Sequence, residues 1–142
     1  LDKLDGVSLG VTAFPARSEE NVPGVVSLLK HDQSLHTKFS VRASGSTPMG
    51  EALLWTLQET FHLPQPRKII LIISDGCADS SEVAEKAIEH GKTLGYEFYG
   101  LGIQHNYIRE LLPHNSEVIF MLDDLVPTLF KLLQHTLIKG IN

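Results

Sequence analysis

The chain has 142 residues, with 12 Lys or Arg against 17 Asp or Glu, a formal net charge of −5. That length carries one domain with a real core, and 42% apolar with 20% charged residues is the composition of a soluble globular protein. The basic residues form no stripe, which argues against a nucleic-acid partner, and the one cysteine, Cys77, excludes an internal disulfide framework.

The longest apolar run, Ile69 to Ile73, is far too short to span a bilayer. The first residues, Leu-Asp-Lys-Leu-Asp-Gly, carry no apolar signal segment. A cytoplasmic protein without a membrane partner is the expectation.

In chain order, Val7 to Phe14 alternates apolar and small residues and reads as a strand ended by Pro15. Val25 to Lys30 is a candidate short edge strand. Pro48 to His62 places Met49, Ala52, Leu53, Thr56, Leu57 and Phe61 at helical spacing, closed by Pro64 and Pro66. Ile69 to Ile73 is a solid aliphatic run, the pattern of a central parallel strand covered on both faces. Asp79-Ser80-Ser81-Glu82 reads as a capping box opening a helix that runs to about Leu94, with Gly95 as its C′ residue. Phe98 to Ile103 and Glu117 to Leu122 read as further strands, separated by a short turn near Tyr107 to Leu112. A last helix spans Asp123 to about Ile138, with Leu125, Leu129, Leu132, Leu133 and Leu137 on one face.

Strands alternating with helices predict βαβ units and a doubly wound, mainly parallel α/β sheet with helices on both faces, in a single domain over residues 1–142. Such sheets bind ligands beyond the carboxyl ends of their strands. Two loops fall there. In Ala43-Ser44-Gly45-Ser46-Thr47-Pro48-Met49-Gly50-Glu51-Ala52-Leu53, either Ser46 or Thr47 is an N-cap ahead of Pro48 at N1, or Thr47 is a hydroxyl ligand to a hard cation. In Ile72-Ile73-Ser74-Asp75-Gly76, Asp75 either initiates a turn, with Gly76 supplying an unusual dihedral, or belongs to a site.

Together, these two motifs resemble the von Willebrand factor A family, and the resemblance extends over essentially the whole chain. The run Ser46 to Trp55 looks most like the family's bacterial and phage branch, which includes a cobaltochelatase subunit with a C-terminal A domain. The resemblance implies a metal-ion-dependent adhesion site for Mg2+ or Mn2+. Thr47 and Asp75 match its second and third elements, and Ser46 is a further candidate ligand. It implies a noncatalytic protein-interaction module whose ion captures an acidic side chain of a protein partner. The alternative is a subunit domain of a chelatase complex driven by an AAA+ ATPase.

One departure matters. The family's Asp-x-Ser-x-Ser motif occurs nowhere in the 142 residues. Leu1 to Gly6 resembles the end of the family's first helix, which implies that the first strand and most of that helix are missing here. With one carboxylate and few hydroxyls, metal binding by this chain is expected to be weak, because Mg2+ demands near-octahedral oxygen ligands.

Other chemistries fit poorly. Gly100-Leu101-Gly102 lacks the third glycine of a dinucleotide loop, His105 standing in its place. The seven histidines show no zinc spacing, and His105 reads as a rim residue. No Gly-x-Ser-x-Gly elbow is present. Cys77 reads as a small packed residue, and Phe98, Tyr99 and Phe120 as core or sheet residues.

Overall fold

The computed structural model describes residues 6–17, 23–31, 33 and 46–138. Leu1 to Asp5 and Ala43 to Gly45, parts of the motifs above, lie outside the described residues. The chain divides into two compact units, Leu1–Pro66 with Ala78–Ala87, and Arg67–Cys77 with Ile88–Asn142.

In the first unit, β1 (Val11–Arg17) pairs antiparallel with β2 (Pro23–Leu29), Val11 opposite Leu29 and Thr12 opposite Ser27. The expected stop at Pro15 does not occur. The register shifts between Ala13 and Ala16, and a proline without an N–H donor is tolerated where the ladder is broken. The next described element after this strand is β2 rather than a helix. Residues 18–22, between the two strands, are too few for a parallel crossover, which needs a dozen or so.

Helix α1 (Met49–Thr60) buries Met49, Ala52, Leu53 and Leu57, the i, i+3, i+4, i+8 pattern of one helical face. Phe61, expected on that face, is instead exposed just past the last turn. Gly50 lies against the next helix, α2 (Ser81–Thr93): a Cβ there would stand 2.5 Å from Val83 Cγ1 and 2.8 Å from the Ala84 nitrogen. The missing side chain lets the two backbones approach.

In the second unit, β3 (Lys68–Ser74), β4 (Tyr96–Ile103) and β5 (Ser116–Ile119) form a parallel sheet in the order β3-β4-β5. The central strand is β4, buried along most of its length. Alternate residues of β4 serve opposite faces. Gly100 and Gly102 admit Ile108 of the short helix α3 (Tyr107–Leu111), where a Cβ on either glycine would collide with that side chain. Leu101, fully buried, faces the other way and joins Ile119 with Leu125, Leu129 and Leu132 of α4 (Leu125–Ile138). The unit is thus mixed α/β, a three-stranded parallel sheet flanked by helices and compatible with a Rossmann-like fold. Among the described residues no helix is long and apolar enough to cross a membrane.

Two expectations for the sheet need correction. Among the described residues β3 pairs with β4 alone, so it is an edge rather than a central strand. Burial follows: Ile70 and Ile72 are buried, Ile69 and Leu71 are half-buried, and Ile73 is 43% exposed. Strand β5 stops at Ile119, before Leu122, and Phe120 is exposed rather than part of the sheet. A 3-10 turn, Leu122–Asp124, then leads into α4.

Candidate functional site

The carboxyl ends of β3 and β4 are where a parallel sheet presents ligand-binding loops. Asp75 follows directly on β3 and is exposed. Its turn is closed by Ser74, whose hydroxyl accepts the Gly76 N–H at 3.3 Å and donates to the Gly76 carbonyl at 3.2 Å. Gly76 supplies no unusual dihedral, since the described glycines with positive φ are Gly6 and Gly95.

At the end of β4 the left-handed position falls on Gln104, with φ of 56°. A side chain there costs roughly 1–2 kcal/mol. Two bonds to the β5 end hold it: the Gln104 N–H donates to the Ile119 carbonyl at 2.7 Å, and Nε2 donates to the Phe120 carbonyl at 3.2 Å. This bend delivers the next residue, His105. Its Nδ1 accepts the Tyr107 N–H at 3.2 Å, and its Nε2 stands 3.6 Å from Cys77 Sγ. An Nδ1 that accepts leaves the proton of the neutral ring on Nε2, pointed at the sulfur.

Sequence reasoning missed this pair. Cys77 is exposed, not packed, because it stands three residues past the end of β3 in a loop rather than in the sheet. His105 is at the rim, as its place after β4 implied. No spacing rule links residues 77 and 105; only the parallel register of β3 and β4 relates them.

Ser46 is exposed and Thr47 half-buried, ahead of α1 in the other unit. Neither caps the helix. The N-cap position belongs to Pro48, with no side-chain cap bond, and the Ala52 N–H bonds the Pro48 carbonyl. Thr47 is held by its main chain instead: its N–H donates to Asp79 Oδ1 at 2.7 Å, and its carbonyl accepts the Asp79 N–H at 2.8 Å. Asp79 is therefore not the start of a capping box. Ser80 takes the cap of α2, its hydroxyl accepting the Val83 N–H at 3.3 Å.

A two-pronged charge pairing lies at the other end of the strands. Arg67 forms a fork on Glu97, with Nε 2.6 Å and Nη2 2.8 Å from its two oxygens, and Nη2 also donates to the Thr136 carbonyl at the end of α4. The hydrogen bond to Glu97 raises the Arg67 pKa, and burial raises that of Tyr99, whose hydroxyl donates to Glu97 at 3.1 Å. A cavity of about 370 Å3 opens beside this cluster. Its position at the amino ends of the strands, with the guanidinium already committed to Glu97, marks it as a packing feature rather than a ligand site.

Among the described residues no group of three or more His, Cys, Asp or Glu could hold a metal ion. Asp75 in one unit, and Thr47 and Ser46 in the other, carry oxygen donors of the kind a hard cation takes. No family model, curated protein or solved structure matches the chain.

Proposed function

We propose that the chain is a noncatalytic, metal-dependent protein-interaction module of the von Willebrand factor A type, on a doubly wound scaffold. Asp75 and Thr47, with Ser46, donate oxygen to a weakly held Mg2+ or Mn2+, whose remaining positions take water and a carboxylate from a protein partner. One observation carries this reading. Thr47, which a capping role would have explained, does not cap α1, and its main chain is tied by two hydrogen bonds to Asp79, four residues along the chain from Asp75. A hydroxyl residue fixed in this way, and an exposed carboxylate after a parallel strand, are what an oxygen-ligand site requires.

Few protein ligands imply a dissociation constant in the millimolar range, on the order of −4 kcal/mol. The test is Mn2+ titration followed by NMR. Amide signals of Thr47 and Asp75 should broaden first, and Asp75→Ala should abolish the effect. No selective broadening up to about 10 mM, well beyond a millimolar midpoint, would overturn the reading.

A further inference from the structure

We draw no further inference here: the strongest candidate, the surface patch on α4 marked by the exposed Val126 and Phe130, carries nothing because nothing in the structure shows what covers it.

Discussion

Asp79 grips the main chain of Thr47 in both directions, its carboxylate accepting the Thr47 N–H at 2.7 Å and its own N–H donating to the Thr47 carbonyl at 2.8 Å. The carboxylate bond is charge-assisted but exposed, so Asp79→Ala should cost about 1 kcal/mol of stability, and Asp79→Asn, which keeps an acceptor oxygen, less. The sharper readout is local. Hydrogen-exchange protection of the Thr47 amide should drop in Asp79→Ala while that of the β4 amides is unchanged. Unaltered protection at Thr47 would mean that the carboxylate does not hold the loop.

Gly50 reverses an ordinary rule. In a helix interior, Gly→Ala gains about 1 kcal/mol from propensity. Here the new methyl would meet the Val83 side chain at 2.5 Å and, at 2.8 Å each, the Ala84 nitrogen and the Val83 carbonyl carbon. A side chain can rotate away, but backbone atoms cannot, and overpacking of this kind costs about 1–3 kcal/mol. Gly50→Ala is expected to lower the urea midpoint. A raised midpoint would show that α1 and the first turn of α2 are not in close contact.

The two sequence motifs differ in how far their neighbours could be read. The aliphatic run Ile69 to Ile73 and the start of Tyr-Gly-Leu-Gly-Ile located β3 and β4, because local composition and periodicity set strand identity. Gly95, with φ of 88°, ended α2 as its position implied. Partner choice was beyond reach. The edge position of β3 and the antiparallel pairing of β1 with β2 depend on which strand lies alongside, and an aliphatic run does not encode that. The same limit hid the site details. Asp79 looked like a cap because Glu82 follows at the right spacing, but it bonds a residue 32 positions away. Likewise, the exposure of Phe120 to Leu122 depends on β5 ending at Ile119, and an apolar run alone does not mark that end.

Tyr99 makes the alkaline limb of stability predictable. Burial is the main cause of its raised pKa, followed by the hydrogen bond it donates to the Glu97 carboxylate. A group that holds its proton more tightly when folded adds stability that is complete below its unfolded value, about 10 for tyrosine. That stability is lost as pH rises through the folded value. Absorbance titration at alkaline pH should therefore show Tyr99 ionising late. Tyr99→Phe should remove that late step. It should also flatten the loss of stability above about pH 10, at a cost near 1 kcal/mol at neutral pH from the missing bond. Late ionisation that survives in Tyr99→Phe would overturn the assignment.

Cys77 and His105 separate two accounts of the loop after β3. If the thiol were a packed residue, an aromatic disulfide reagent would modify it only on unfolding. Its exposure in the structure predicts one equivalent of rapid labelling in the native protein, without denaturant. Labelling turns Cys77 Sγ, 3.6 Å from His105 Nε2, into a mixed disulfide with release of the reagent's aromatic thiolate, so it should shift the His105 ring resonances. The ring itself gives a further check. Because the Tyr107 N–H donates to Nδ1, nitrogen NMR near neutral pH should find the neutral form of His105 as the Nε2–H tautomer. His105→Ala should leave labelling stoichiometric, since exposure and not the histidine admits the reagent. Native protein that resists labelling, or a ring protonated on Nδ1, would mean that the ends of β3 and β4 are not joined as the distances describe.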